Sequence, residues 1–200
     1  LNVILGHAEV LTDADDERVT SQAERILDSG SNLYDATAYV RLLSDILTSH
    51  QIQQTRQDVT ALVTEIVDKH EKAYPTVTID SELPAKREVT AAPKLEEALY
   101  HVIENAVEHN DSDSPRVEIS VQSKATDAGY VEVTIADNGP GIPDQERAVL
   151  LEGEETPLHH GSGLGLWIVN WIIHRSGGRI AFEANEPRGS RVTLALPPAE

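Results

Sequence analysis

Two glycine-rich segments contain the residues best suited to ligand chemistry: Asp137-Asn-Gly-Pro-Gly-Ile-Pro143 and Gly161-Ser-Gly-Leu-Gly-Leu166. The first follows residues that alternate between apolar and polar from Val131 to Ile135, which is typical of a half-buried strand. Such a strand delivers Asp137 to its end, where a carboxylate can accept a hydrogen bond from an exocyclic amine such as that of adenine. The glycines that follow allow the backbone to approach a flat ligand closely.

The second segment opens a helix that we predict from Leu164 to Arg175, because its apolar residues follow helical spacing. Free amide groups at a glycine-rich helix start form an anion site that suits phosphates. The segment is not a dinucleotide fingerprint, since its third glycine comes one residue early and no strand immediately precedes it. Nor is it a Walker loop, because it has no Gly-Lys-Ser/Thr. Each segment alone could be an ordinary turn; together they predict a nucleotide pocket.

A third segment, upstream of both, is predicted to be a helix with one apolar face. Glu104, Asn105 and Glu108 fall off that face or at its edge, where they can meet a ligand. The apolar positions are Leu95, Ala98, Leu99, Val102, Ile103, Ala106 and Val107.

In this order and at this spacing, the segments resemble the sensor histidine kinases of the wider GHKL ATPase family. Glu104-Asn-Ala106 is similar to the family's N box, and the segments from Asp137 and Gly161 are similar to its first two glycine boxes. Gly189-Ser-Arg-Val-Thr-Leu-Ala-Leu-Pro197 resembles the closing strand. The resemblance covers roughly residues 58 to 197. It implies an α+β fold of the GHKL α/β sandwich type, in which helices cover one face of a mixed sheet.

The resemblance also implies the cofactors ATP and Mg²⁺. Asn105 is then the expected Mg²⁺ ligand, since a carboxamide oxygen suits a hard cation that also binds phosphate oxygens and water. Asp137 takes the adenine amino group, and Ser190 joins it through water. The expected ATP-binding residues are Asn105, His109, Asp137, Gly139, Gly141, Ile142, Gly161, Ser162, Gly163, Leu164, Gly165, Leu166 and Ser190.

The N-terminal quarter is predicted to be helical and to form a bundle seam. Leu1 to Leu11 fits a short helix, and Glu17 to Gln53 a long one. By resemblance, residues 1–54 are the remnant of a dimerisation hairpin through which the protein forms homodimers, and residues 58–200 are the catalytic domain. The phosphoacceptor histidine is expected upstream of Leu1, so this stretch alone is not expected to autophosphorylate, and His7 is interpreted as a bundle-surface histidine. Apolar residues recur every seven positions at Val19, Ile26, Leu33, Val40 and Leu47.

Between these regions, Gln54 to Asp58 is predicted to be a linker, followed by an amphipathic helix that ends near Tyr74-Pro75. Val77 and Ile79 should begin the sheet, Leu83-Pro84 should turn it, and Lys86 to Thr90 should return. The later strands are predicted as two hairpins, the first around the turn Thr126 to Gly129 and the second joining Ile180 and Phe182 to Val192, Leu194 and Leu196.

The composition argues against binding to nucleic acid or anionic membranes and indicates a high-salt environment. With 34 acidic and 16 basic residues the net charge is −18, which repels nucleic acid and anionic membranes. Only five residues are lysine, and this combination indicates adaptation to high salt, as in a halophilic archaeon. There is no cysteine, hence no disulfide, and no apolar run of membrane-spanning length. A cytoplasmic location is expected for the kinase core.

The resemblance implies that the intact protein phosphorylates its own histidine from ATP and passes the phosphoryl group to an aspartate on a response regulator receiver domain. Two positions depart from the kinase pattern: His101 stands where an Asn is usual, and Glu108 where a Lys or Arg is frequent. No Lys or Arg occurs from residue 148 to residue 174. A degenerate, non-catalytic dimeric scaffold therefore stays open as an alternative. So does an anti-sigma-type serine kinase, although such kinases lack the long heptad helix. Glu104 is interpreted as a solvated or locally paired carboxylate rather than a general base.

Overall fold

The computed structural model describes residues 4, 11–12, 19–23, 25–27, 30, 53–123, 129–142 and 163–199. The chain divides into two compact units, of which the first contains residues 1–50 and the second most of the remainder. In the first unit, residues 19–23 and 25–27 are helical and Ala23 is buried. The hydroxyl of Thr20 donates to the carbonyl of Thr12 at 3.5 Å. The predicted seam from Leu33 to Leu47, most of the first helix and His7 lie outside the described residues.

The rest of the chain alternates strands and helices. In chain order the elements are β1 (Thr55–Asp58), α1 (Val59–Ala73), β2 (Thr78–Glu82), β3 (Glu88–Ala91), α2 (Leu95–Glu108), β4 (Arg116–Ser123), β5 (Val131–Asp137), α3 (Gly163–Arg175), β6 (Arg179–Ala184) and β7 (Ser190–Leu196).

Five of the strands form one mixed sheet in the order β2-β4-β5-β7-β6. β2 runs parallel to β4, and the other pairs are antiparallel. The β4–β5 and β6–β7 pairs confirm the two predicted hairpins. β5 is the central strand, with Asp137 opposite Val117 of β4 and Ala136 opposite Arg191 of β7. β5 therefore has a paired strand on each side up to Ala136, and Asp137 itself is paired with β4.

One face of this sheet forms the core, and the other is polar. The side chains that alternate onto the core face are buried, whereas Glu118 is exposed and Thr134 and Thr193 are half-buried on the opposite face. α1 and α2 pack against each other, and α2 contacts β4 and β5. The sequence prediction of an α+β fold with one covered sheet face is therefore confirmed. The buried strand residues are Val117, Ile119, Val121, Val131, Val133, Ile135, Phe182, Val192, Leu194 and Leu196.

α1 begins at a side-chain cap, and α2 is held by its buried face. Asp58 caps α1, because its Oδ1 accepts the amides of Thr60 at 3.1 Å and Ala61 at 3.3 Å. All seven apolar positions predicted for α2, from Leu95 to Val107, are buried. Full burial of such side chains contributes about 1.5–3 kcal/mol for each of the larger ones, and this fixes the helix on the sheet.

Two strand assignments from the sequence were wrong. The predicted linker contains β1, which pairs with β3 in a separate two-stranded antiparallel sheet. β3 therefore does not return beside β2, which instead lies parallel to β4. Ion pairs between the strands accompany both pairings: Arg56 of β1 pairs with Glu88 of β3 at 2.6 Å, and Arg116 of β4 pairs with Asp80 of β2 at 2.8 Å. These partners are distant in sequence, so periodicity could not identify them.

The C-terminal end of α3 is tied to the segments that precede α1 and α2. Gln54 Nε2 donates to the carbonyl of Arg175 at 2.8 Å. Ser176 is fully buried, and its hydroxyl accepts the amide of Ala92 at 2.9 Å while donating to the carbonyl of Ile172 at 2.8 Å. These bonds satisfy carbonyl groups that the end of a helix leaves free. Among the helices that the structure describes, none has the length and apolar character needed to span a membrane.

Candidate nucleotide-binding site

Asp137, the last residue of β5, is buried and its carboxylate is held by three donors. Oδ1 accepts the amide of Gly139 at 2.8 Å and that of Ser190 at 3.3 Å. Oδ2 accepts the hydroxyl of Ser190, the first residue of β7. An ionised carboxylate offers about four acceptor sites, so one remains for a donor from a ligand. A fixed and partly unsatisfied carboxylate of this kind suits an exocyclic amine.

Three glycines, Gly139, Gly141 and Gly189, stand at close approaches beside the end of β5, where an added Cβ would be crowded. A Cβ on Gly139 would lie 3.1 Å from Asp137 Oδ1, and one on Gly141 would lie 3.2 Å from the carbonyl oxygen of Gly189. Gly189 is the most constrained, because a Cβ there would lie 2.0 Å from the carbonyl oxygen of Asp137. Gly141 and Gly189 also have positive φ angles of 83° and 121°. The first glycine box and the β6–β7 turn are thus in direct backbone contact.

Asn138 ties the first glycine box to the loop that follows α2. Its Oδ1 accepts Asn110 Nδ2 at 3.0 Å and the amide of Arg116 at 2.8 Å. Its Nδ2 donates to the hydroxyl of Ser112 at 3.2 Å and to the carbonyl of Ser114 at 2.9 Å. Sequence reasoning gave Asn138 no role, because an Asn before a Gly indicates only a turn with a local bond to the backbone, and these partners are 22–28 residues away.

The end of α2 meets the glycine box at Asn110. A Cβ on Gly139 would lie 3.2 Å from the Cα of Asn110, the residue directly after His109. Asn105 is half-buried one turn earlier, and its carbonyl accepts the amide of the exposed His109 at 3.3 Å. The structure thus places Asn105, the expected Mg²⁺ ligand, on the helix that ends against the first glycine box.

Asn105 offers one carboxamide oxygen, which suits a magnesium ion that is held mainly by its substrate. In the described part of the chain, no group of three or more His, Asp or Glu side chains is arranged to hold a metal ion. Mg²⁺ in phosphate sites commonly takes one or two protein ligands and completes its shell with phosphate oxygens and water. A lone carboxamide is compatible with that arrangement, and the Asn105 assignment stays a prediction.

Glu104 is a locally paired carboxylate, as the sequence predicted. Tyr100 donates its hydroxyl to Glu104 Oε1 at 2.8 Å, and His101 Nδ1 lies 3.7 Å from Oε2. Burial raises the pKa of Glu104, but the contacts with His101 and Tyr100 outweigh it, and the pKa lies below the ordinary value. Burial, followed by the bond to Glu104, raises the pKa of Tyr100 to about 12. A carboxylate held in this way has little freedom to act as a general base.

His101 also faces the first turn of α3. Its Nδ1 lies 3.8 Å from the position that a Cβ on Gly165 would occupy. The helix begins at Gly163, close to the predicted start, and Leu166 is buried. Gly161 and Ser162 lie outside the described residues. Ile142, in the first glycine box, is half-buried.

A family profile described as histidine kinase-, DNA gyrase B- and HSP90-like ATPase matches residues 90–200. The chain is 32% identical over 148 residues to the nitrogen regulation protein NtrY of Azorhizobium caulinodans, covering 70% of this chain and 19% of that protein. It is 29% identical over 204 residues to the sensor-like histidine kinase SenX3 of Mycobacterium tuberculosis, covering 97% of this chain and 49% of that protein.

Solved structures show the same fold. The ATP-binding domain of PrrB from Mycobacterium tuberculosis superposes with a TM-score of 0.59 at 28% identity, covering 74% of this chain and 99% of that chain. The chain spans from about a fifth to about half of the length of the two curated relatives. The glycine-bounded carboxylate at the end of the central strand falls within the matched residues. The chain therefore belongs to the histidine kinase-, DNA gyrase B- and HSP90-like ATPase family.

Proposed function

We propose that this chain is the ATP-binding core of a sensor histidine kinase in a two-component system. The observation that carries the proposal is the buried carboxylate of Asp137, which is held by Gly139 and Ser190 and retains an acceptor site for the adenine amino group. The names of the relatives, which include a sensor-like histidine kinase, support the kinase branch of the family over its other branches.

In this proposal, the base and the phosphates of ATP occupy different ends of one pocket. Asp137, Gly139, Gly141, Ile142 and Ser190 hold the adenine. Asn105 binds Mg²⁺, which supplies positive charge to the phosphates, and His109 lies at the same end of α2. On the sequence pattern alone, we assign the phosphates to the amides of the second glycine box, Gly161, Ser162, Gly163, Leu164, Gly165 and Leu166.

For the whole protein, we propose phosphoryl transfer from ATP to a histidine and then to an aspartate on a response regulator receiver domain. Positioning and charge neutralisation suffice for this transfer, so a water-activating base is not required. Residues 1–54 act as a dimerisation segment and residues 58–200 as the catalytic domain, in the cytoplasm. The net charge of −18 and the scarcity of lysine support a halophilic origin.

A non-catalytic scaffold is the second candidate, and two residues favour it. Glu108 is exposed at the end of α2, in a position where the kinases frequently carry a cation, and it adds negative charge near the phosphate end. His101 replaces an Asn and is engaged with Glu104. If the chain is a kinase, Glu108 and His101 should weaken its nucleotide binding. If it is a scaffold, it should bind no nucleotide.

Calorimetric titration of ATP with Mg²⁺ in about 2 M KCl distinguishes the two candidates, with Asp137→Ala as the paired variant. The kinase proposal expects binding in the wild type and loss of at least about ten-fold in affinity in the variant, the equivalent of about 1.4 kcal/mol. The Ser123→Ala variant, which changes an exposed residue of β4, is the control and should bind as the wild type does. A folded wild type that binds no ATP would favour the scaffold instead.

A further inference from the structure

The turn between β6 and β7 lies directly against Asp137 and supplies contacts beyond those of Ser190. The turn is closed by a bond from the amide of Asn185 to the carbonyl of Gly189 at 3.0 Å. Gly189 in turn lies against the backbone of Asp137, closely enough that a Cβ would be 2.0 Å from the carbonyl oxygen. Asn185 is thereby placed beside the last residue of β5, 48 residues earlier in the chain.

The carbonyl of Asp137 needs a partner at this point because the strand ladder stops short. β5 and β7 pair up to Ala136, which lies opposite Arg191, and no pairing to β7 continues at Asp137. The side chain of Asn185 supplies the missing donor, since its Nδ2 donates to the carbonyl oxygen of Asp137 at 2.8 Å. A buried carbonyl without a donor is costly, so this bond holds the main chain of Asp137 in place.

Arg191 fixes the orientation of the Asn185 side chain. Its guanidinium Nη2 donates to Asn185 Oδ1 at 3.3 Å. Because a guanidinium has only donors, the oxygen of the carboxamide must face Arg191 and the nitrogen must face Asp137. The half-buried carboxamide is therefore held from both sides, and its donor points at one atom of the site.

We propose that Asn185 is a positioning residue for the adenine-binding carboxylate, a role that rests on the proposed function. By completing the ladder at Asp137, it sets the direction in which the carboxylate leaves the end of β5. The carboxylate is then presented to the amino group of adenine at the correct angle. Asn185 itself has no contact with the ligand in this proposal, and it acts only through Asp137.

The test compares two nucleotides, ATP and purine riboside triphosphate, which lacks the 6-amino group. Asn185→Ala should lower the affinity for ATP by about ten-fold and the affinity for the analogue by less than about two-fold, because only ATP has an amino group for the carboxylate of Asp137 to bind. Asn185→Asp has nearly the same shape and keeps an acceptor for Arg191, but it places an oxygen against the Asp137 carbonyl. Asn185→Asp should reduce the ratio of the affinities for ATP and the analogue as much as Asn185→Ala does. Calorimetry in about 2 M KCl gives both affinities for each variant.

Arg188→Ala is the matched control from the same turn. Arg188 pairs with Asp111 at 2.8 Å on the surface, and its removal should leave the ratio of the two affinities unchanged. If Asn185 had only a structural role, its variants would lower the unfolding midpoint or weaken both nucleotides equally, and either result with an unchanged ratio would overturn the inference. A folded wild type that binds neither nucleotide would overturn the proposed function as well, so the two failures are distinguishable.

Discussion

Replacing Gly189 by alanine tests whether the β6–β7 turn and the end of β5 really depend on direct backbone contact. A Cβ at this position would lie 2.0 Å from the carbonyl oxygen of Asp137, 2.7 Å from its carbonyl carbon and 2.9 Å from the Cα of Asn138. All three are backbone atoms, so no side chain can rotate away. The two segments would have to separate by about 1 Å to reach a tolerable distance.

The cost of that separation follows from the bonds that cross the contact. Ser190 donates twice to the carboxylate of Asp137, and Asn185 donates to its carbonyl. A shift of about 1 Å would break these bonds, each worth about 1 kcal/mol net. The φ of 121° is strained for a residue with a side chain and adds about 1–3 kcal/mol. We therefore expect Gly189→Ala to lower the free energy of unfolding by about 4–6 kcal/mol, which is a large part of the stability of an ordinary domain.

Gly129→Ala is the matched control for Gly189→Ala. Gly129 also has a positive φ, 63°, but no atom of the residues that the structure describes lies within 4 Å of the position its Cβ would take. In this variant only backbone strain should act, and it should lower the free energy of unfolding by about 1–2 kcal/mol. Urea unfolding of both variants and the wild type at one KCl concentration gives the two differences. If Gly189→Ala cost no more than Gly129→Ala, the close approach inferred between the turn and β5 would be wrong.

Four further predictions can be checked on the same protein. Ser176→Ala should cost about 1–3 kcal/mol in urea unfolding, because it leaves the buried amide of Ala92 without an acceptor, whereas Ser123→Ala should cost nothing measurable. Ser190→Ala should lower the affinity for ATP by up to about ten-fold in calorimetry, because Gly139 still holds the carboxylate of Asp137. An unchanged affinity would show that the Ser190 hydroxyl does not support the site. Tyr100 has a pKa raised from 10.0 to about 12, so the unfolded chain ionises first as pH rises. Its contribution to stability is therefore complete below pH 10 and is lost progressively towards pH 12, and Tyr100→Phe should remove that alkaline loss from the unfolding curves. Finally, the net charge of −18 predicts that the thermal midpoint rises between dilute buffer and molar KCl, and a midpoint that did not rise would exclude salt adaptation.

The sequence predicted the structure best in the segments that carry both a regular apolar pattern and candidate site residues. The apolar face of α2 and the alternation in β5 predicted both elements correctly, because burial of one face is set by residues close together in the chain. Asp137 was predicted as a site residue from its place after the strand and before two glycines. Its burial and three donors are compatible with that role.

The features that the sequence did not predict depend on contacts between distant segments. β1 was mistaken for a linker because its partner, β3, lies about thirty residues away and a four-residue strand carries too little alternation to be recognised. Asn138 and Asn185 were missed as supports of the site for a similar reason. Their side chains bond to main-chain groups 24 and 48 residues away, and no local pattern indicates such a partner.

The order of strands in the sheet has a consequence for synthesis on the ribosome. β5 is central, yet one of its two neighbours, β7, begins 53 residues after Asp137. While residues before Ser190 are being added, β5 has an unpaired edge, and the carboxylate of Asp137 lacks two of its three donors. The stabilisation that a nucleotide confers is available only to a state that can bind it. On the proposed function, ATP therefore stabilises the nascent chain much less before β7 has paired with β5 than after it.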